Sequence, residues 1–325
     1  MLSQKHAEKL AEQAILNNEA TLSKMRESQG DSSTASSDSS TKVEPQLEIL
    51  EKVTKTSIFS SKPKLSLKQV MITGASSGFG EEFAKQLAPH AEHLVLIARR
   101  KKLLKTLAKE LKAQHGIKIT LLSGDLTKPR FKAKIERYLR NKGANLDLLI
   151  NNAGLGDYGS FESADWDKLQ QIIEVNITSL LQLTHAAIPK LRANKGSIIN
   201  ISSLSHLIPM PDFAVYAASK AFVSSFSEAL AIELEEQGIN VLDVCPGPIS
   251  TNFGQVALRR GNKAEIKRPS WVKISKEQMV RETLQALSKK QGKLYPGLGV
   301  KIAATVLAAL PIFAIRAIVR KRPWS

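Results

Sequence analysis

The sequence predicts an α/β fold: a Rossmann-like doubly wound parallel sheet with helices on both faces. From about residue 65, short apolar runs alternate with amphipathic helices, the pattern of successive βαβ units. A glycine-rich turn follows the first run. The 325 residues, 42% hydrophobic and 24% charged, suffice for one sizeable buried core with extensions. The runs are QVMIT, HLVLIA, KITLLS, LDLLIN, GSIINIS and INVLDV. Six buried strands of this kind place ligands at the carboxyl ends of the sheet.

Three segments are expected: an N-terminal extension over 1–64, a catalytic domain over 65–298 and an apolar, basic tail over 299–325. Residues 1 to about 27 read as a helix, with Leu10, Ala14 and Leu22 among charges, and 28–41 form a Ser-rich linker. No apolar signal region opens the chain and its early glutamates argue against a transit peptide, so a cytoplasmic location is expected. In the tail, Val300 to Val319 carries only Lys301 and Arg316 as charges. Its core, Ile302 to Ile315, is short for a transmembrane span and is interrupted by Pro311, while Arg320, Lys321, Arg322 and Trp324 resemble interfacial anchors. The tail could lie on a membrane surface, pack over the substrate pocket, make an oligomer contact, or span once.

One cysteine, Cys245, excludes an intramolecular disulfide, and none of the six histidines falls in an H-x-x-x-H arrangement, so no metal is expected. The net charge of +17 favours anionic partners, although much of it sits on solvated helix faces such as Arg99-Arg100-Lys101-Lys102. No helix-turn-helix, zinc-finger or RNP pattern accompanies it, so nucleic acid is not an expected partner.

Gly74-Ala75-Ser76-Ser77-Gly78-Phe79-Gly80 follows the strand QVMIT and opens a helix expected to begin near Glu81. Its glycines let backbone amides approach a pyrophosphate at the positive end of that helix. The spacing G-x-x-x-G-x-G is neither the usual dinucleotide fingerprint nor a P-loop. After the second strand, Arg99 and Arg100 stand where an NAD enzyme places an acid on the ribose 2′-hydroxyl, which favours NADP(H) over NAD(H) through charge-assisted bonds to a 2′-phosphate. Asp125 and Leu126 follow the third strand; Asp125 can accept from an adenine amino group or cap the next turn.

Tyr216-Ala-Ala-Ser-Lys220 sets a phenol and an ammonium one helical turn apart on one face. At ~4 Å and an effective dielectric near ~20, the ammonium stabilises a phenolate by roughly 4 kcal/mol, about 3 pKa units. Tyr216 is therefore expected to exchange protons near neutral pH.

With Asn151-Asn152-Ala153-Gly154, Asn176, Ser202-Ser203 and Pro246-Gly247 in order around this pair, residues 66 to about 255 resemble the short-chain dehydrogenases/reductases. The resemblance implies a nicotinamide cofactor, a homo-oligomer, Tyr216 as general acid or base, Lys220 lowering its pKa and holding the nicotinamide ribose, and Ser203 orienting the substrate oxygen. Ser203 lies thirteen residues before Tyr216, the family spacing, and Ser202 is expected to face the strand. Asn176 resembles the asparagine that holds a water beside the lysine. Asn152, Ala153 and Gly154 would line the adenine-ribose side, with Pro246, Gly247 and Thr251 beside the carboxamide. The loop from about Asn252 to Ile274 would be a substrate lid, whose Arg259, Arg260, Lys263, Lys267 and Arg268 could meet an anionic substrate or lie in solvent. His206, Leu207, Ile208, Met210 and Phe213 are expected to line an apolar substrate side. The leading expectation is an NADP(H)-dependent reductase of a hydrophobic carbonyl, such as a 3-oxoacyl chain or another lipid. Oxidation of a small β-hydroxy acid such as serine is the alternative, and a cofactor-binding regulator or scaffold is the reading from another class.

Overall fold

A computed structural model describes residues 65–141, 145–249, 252–259 and 272–320. The expected N-terminal helix and linker, Thr251, most of the basic loop, and Lys321, Arg322 and Trp324 lie outside them. Among the described residues, β1 (Leu67–Thr73), β2 (Ala91–Ala98), β3 (Lys118–Ser123), β4 (Leu148–Asn151), β5 (Ser197–Ile201), β6 (Asn240–Val244) and β7 (Lys293–Leu294) form one sheet. The order is β3-β2-β1-β4-β5-β6-β7, with every pairing parallel. β7 is an addition to the six expected strands; at two residues it is too short to leave a periodic signal.

The helices are α1 (Gly78–Leu87), α2 (Lys101–His115), α3 (Pro129–Arg140), α4 (Trp166–Ile173), α5 (Ser179–Asn194), α6 (Ala214–Glu235), α7 (Asn252–Ala257), α8 (Lys276–Ser288), α9 (Leu298–Ala309) and α10 (Ile312–Arg320). A π-helical turn, Glu174–Thr178, joins α4 to α5. Strand alternation assigns the two faces. Val70, Ile72, Leu94 and Leu96 meet Phe83, Leu104 and Leu284, from α1, α2 and α8. Met71, Val95 and Ile97 point the other way, into Ile135, Leu183 and Leu230, from α3, α5 and α6. Each large apolar side chain so buried contributes about 1.5–3 kcal/mol, which makes the sheet the rigid frame of the site.

Strand order reverses between β1 and β4, so the chain leaves these neighbours in opposite directions and opens a crevice beyond Thr73 and Asn151. α1 begins at Gly78, three residues before the expected Glu81, and so presents its first turn to that crevice. At the other end of the chain, α9 stops at Leu310–Pro311, where proline has no N–H to continue the ladder, and α10 restarts with Ala314 and Ile315 donating to the Pro311 carbonyl. No described helix is long and apolar enough to cross a membrane.

Candidate active site

The glycine turn is held against β4 by close backbone approach. A Cβ on Gly80 would lie 2.4 Å from the Gly74 carbonyl oxygen, so only glycine fits. Asn152 Nδ2 donates to the Thr73 carbonyl at 2.8 Å, and the amides of Asn152 and Ala153 both donate to Thr73 Oγ1 at 3.0 Å. Asn152 is thus tied to the turn through its side chain, leaving Ala153 and Gly154 as the lining of the crevice. Ser77 caps α1 without a side-chain hydrogen bond to its first turn. Arg100 folds onto the turn, its Nε and Nη2 donating to Ser76 Oγ at 3.2 and 3.0 Å and Nη2 also contacting Ser77 Oγ.

Arg99, Leu155, Gly156, Asp165 and Lys168 line a cleft of about 300 Å³. Arg100, Lys101 and Lys102 crowd the start of α2, whose first turn carries no acid. Cations at a helix N-terminus oppose its dipole by about 0.3–1 kcal/mol each, an arrangement that a bound anion relieves. Asp125 Oδ1 accepts from Thr127 N at 2.9 Å and so caps the next turn. Leu126 is buried, with its carbonyl accepting from Ser179 Oγ at 3.0 Å. The turn, the Arg100–serine cluster and the open start of α1 fit the phosphates of a dinucleotide.

The catalytic candidates converge at the ends of β5 and α6. Strand alternation turns Ser202 inward, as expected, where its Oγ donates to Asp243 Oδ1 at 2.5 Å, and leaves Ser203 within hydrogen-bonding reach of the Tyr216 phenol. Lys220 Nζ donates to the Ile201 carbonyl at 2.8 Å and sits 5.8 Å from the centroid of the Tyr216 ring. Asn176 lies in the π turn, a feature frequent at functional sites. Its Oδ1 accepts from Leu155 N at 2.8 Å and its Nδ2 donates to Leu155 O and Ser219 Oγ, both at 2.9 Å. Asn176 thereby clamps the loop after β4 to α6. A Cβ on Gly154 would be 3.5 Å from Lys220 Nζ and 3.6 Å from Asn176 Oδ1, so the two face one another across this glycine.

The expected depression of the Tyr216 pKa is corrected by its surroundings. The Phe213 and Phe253 rings stand 4.6 and 5.3 Å from it, centroid to centroid. Burial pushes the phenol up to about 12, with the Ser203 hydrogen bond opposing, and brings the Lys220 ammonium down to about 8, with the Asp243 charge opposing. Helical spacing sets the separation of the pair but not its dielectric, and here loss of hydration disfavours the charged form of both.

Behind the site lies a carboxylate that the motifs did not single out. Asp243 is fully buried; it accepts from Ser202 Oγ and, at 2.6 Å, from Ser224 Oγ, and lies 3.2 Å from Cys245 Sγ and 3.4 Å from Lys293 Nζ. Burial works against the Lys293 ammonium, but Glu228 and Asp243 hold its pKa above the ordinary value; burial pushes the Cys245 thiol up. The signal was present in INVLDV, because a lone acid in a buried strand requires partners. His206 belongs to this side too. Its Nδ1 bonds the Ser203 carbonyl at 2.7 Å and its Nε2 the Tyr295 hydroxyl at 3.3 Å, so it supports the serine from behind instead of lining the apolar side.

The opposite wall is apolar. Tyr158, Phe213, Ala257, Ile315 and Val319 form a buried cluster against which Ile208, Met210, Tyr216 and Phe253 pack. Ile315 and Val319 come from α10, so this helix packs on the side of the domain that holds Tyr216. Below it, Arg259 donates to Asp157 Oδ2 through Nη2 at 2.7 Å and Nε at 3.1 Å, to Asp157 Oδ1 through Nε at 3.2 Å, and to Ser163 Oγ at 2.7 Å. Lys168 Nζ adds a contact to Asp157 at 2.8 Å, and the two cations outweigh burial to hold that carboxyl below its usual range. Arg259 is therefore engaged internally, which corrects its expected availability to an anionic substrate.

Comparison with known proteins agrees with this architecture. A very-long-chain 3-oxoacyl-CoA reductase of Bos taurus is 31% identical over 249 residues, covering 74% of this chain and 75% of that protein. An 11-beta-hydroxysteroid dehydrogenase-like 3 of Arabidopsis thaliana is 39% identical over 190 residues, 57% of this chain and 60% of the relative. A short-chain dehydrogenase from Sphingobium yanoikuyae, solved in complex with NADPH, superposes with a TM-score of 0.66 at 30% identity, covering 78% of this chain and 95% of that one. The sequence profile described as short chain dehydrogenase matches residues 68–260, and the chain belongs to that family of oxidoreductases.

Proposed function

We propose that this chain is an NADP(H)-dependent reductase of hydrophobic ketones, with a 3-oxoacyl or other lipid carbonyl as substrate. The observation that carries this reading is the apolar enclosure of Tyr216 by Phe213, Phe253 and the cluster holding Ile315 and Val319. A lipid chain is the substrate class such a wall binds. Two of the relatives, a very-long-chain 3-oxoacyl-CoA reductase and an 11-beta-hydroxysteroid dehydrogenase-like protein, point the same way. The small β-hydroxy-acid alternative loses support because Arg259 is spent on Asp157.

In this reading residues 65–298 are the catalytic domain. Ser76 and Ser77, with the first turn of α1, hold the phosphates that both dinucleotides share, and Arg99 and Arg100 select the 2′-phosphate. When bound, the nicotinamide supplies the hydride. Ser203 hydrogen-bonds the carbonyl oxygen, and Tyr216 donates its proton to that oxygen as charge develops there. Lys220, released from part of its desolvation by ribose hydroxyls, stabilises the phenolate left behind. Asn176 positions the loop facing Lys220, and the apolar wall excludes water.

Exposed Phe222 and Ile232 on α6, 40% and 75% accessible, support a homo-oligomer, and the tail supports a peripheral placement on a membrane surface. The test of function follows NADPH and NADH absorbance against acyl ketones, steroids, small aldehydes and hydroxy acids, with Tyr216→Phe as control. NADPH-dependent reduction of a lipid ketone that disappears in the variant is expected; turnover of hydroxy acids alone would reverse the substrate assignment.

A further inference from the structure

We infer that the outer face of α9 and α10 is a docking surface for an anionic lipid bilayer, and that it holds the roof of the reaction site against the membrane. The inference rests on the peripheral placement proposed above and specifies its surface, its lipid and its orientation.

The two helices, twelve and nine residues long, extend about 18 and 13 Å. Their inner positions, Val300, Ala304, Ile315 and Val319, are buried against the domain. Their outer positions are apolar as well. Leu298 is 75% exposed, Phe313 73%, Ile312 54%, Ile302 and Val306 52% each, and Ile318 47%. Six large apolar side chains standing in solvent on two consecutive elements make a patch of the kind that marks an interaction site.

The cations identify the partner. Lys301, Arg316 and Arg320 are exposed on the same two helices, and residues 298 to 320 contain no acid. Long basic side chains can keep their charges at headgroup level while neighbouring apolar groups enter the acyl boundary. A second copy fits poorly, because a two-fold contact would bring three cations against three with no acid between them. An anionic bilayer satisfies the apolar groups and the charges together. The break at Pro311 supplies the geometry, since it lets two short helices lie on a surface where a continuous one would project from it.

The consequence for the site follows from α10 having two sides. Ile315 and Val319 lie in the cluster against which Tyr216 packs, and Ile312 and Phe313, on the same short helix, are exposed. The thickness of a single helix therefore separates the apolar wall beside Tyr216 from the docking face.

The test is co-sedimentation of the full-length protein with phosphatidylcholine vesicles, with and without phosphatidylglycerol, across a salt series. Binding is expected only with the anionic lipid and should fall with salt. Ile302→Asp with Phe313→Asp should weaken it roughly tenfold or more, and Arg316→Ser with Arg320→Ser roughly fivefold or more. Melting temperature and reduction of a water-soluble ketone should stay unchanged in both variants. Absence of wild-type binding would overturn the peripheral placement itself. Binding that persists in the aspartate variant would overturn this face as its surface. A change from dimer to monomer in that variant by light scattering, with vesicle binding intact, would assign the face to a second copy.

Discussion

Replacing Asp243 by asparagine tests whether the catalytic end of β5 is organised from behind. The side chain is fully buried and accepts two short bonds, from Ser202 Oγ at 2.5 Å and Ser224 Oγ at 2.6 Å, beside the Lys293 ammonium at 3.4 Å. Asparagine keeps the volume. Its oxygen can accept from one hydroxyl, but its amide presents a donor where the second hydroxyl and Lys293 also donate. One charge-assisted bond of about 1.5–3 kcal/mol is lost and the other falls to a neutral bond, a further loss of about 1 kcal/mol. The sum, about 2.5–4 kcal/mol, corresponds to a fall in Tm on the order of 10 °C for a domain of this size. A second readout is chemical. The Asp243 charge opposes the burial that brings Lys220 down to about 8, so its removal lowers the Lys220 pKa further and moves the ionisation seen in NADPH affinity toward acid. Calorimetry and a pH series of fluorescence titrations measure both effects. A stability loss below about 1 kcal/mol with an unmoved ionisation would refute the argument, since it would mean the buried hydroxyls and Lys293 do not depend on the carboxylate.

Arg100→Ala should weaken NADPH binding roughly 10–150-fold, the equivalent of one charge-assisted bond, and spare NADH; equal losses for both in fluorescence titration would contradict a 2′-phosphate contact. Lys220→Met should abolish turnover yet raise Tm at pH 7. The wild-type ammonium has its folded pKa depressed to about 8 from 10.5, so its burial penalty is fully present below about 8 and is relieved as pH rises toward 10.5. The advantage of the methionine should shrink over that window, and a variant less stable than wild type at pH 7 would refute the sign. Gly159→Val places a branched side chain at φ +152 with its Cβ 2.7 Å from Arg259 Cζ. The Arg259–Asp157 pair should open and tryptic cleavage after Arg259 should accelerate with cofactor affinity unchanged; an unchanged cleavage rate would show that the pair does not pin this segment.

Much of the fold was legible because it is written in local periodicity. β1 to β6 are continuous apolar runs, and the thirteen-residue spacing to Tyr216 is what told Ser203 from Ser202. β7 has two residues and exists because Lys293 and Leu294 find the free edge of β6, a tertiary event with no local pattern. The start of α1 was misplaced because Gly78 and Gly80, poor helix formers, open it for the sake of close approach. Tyr216 and Lys220 were legible as a pair, being one turn apart on α6. The direction of the Tyr216 shift was not, since it is decided by Phe253 from a later segment and by desolvation at the site. Arg259 could be read as a cation but not as the partner of Asp157, about a hundred residues earlier. The four placements left open for the tail could be narrowed only once Ile315 and Val319 were seen on the inside of α10.

That last contact also sets an order of events during synthesis. Tyr216 and Lys220 leave the ribosome about a hundred residues before Ile315 and Val319, an interval on the order of 5–20 s at translation rates of ~5–20 residues per second. Over that interval β1 to β6 and α6 can pair and pack, bringing together Ser203, Tyr216 and Lys220 with the apolar wall beside them unfinished and open to water. A nascent chain halted near residue 300 would thus carry a nearly complete sheet and an uncovered, aggregation-prone patch beside the tyrosine, the kind of surface that chaperones engage.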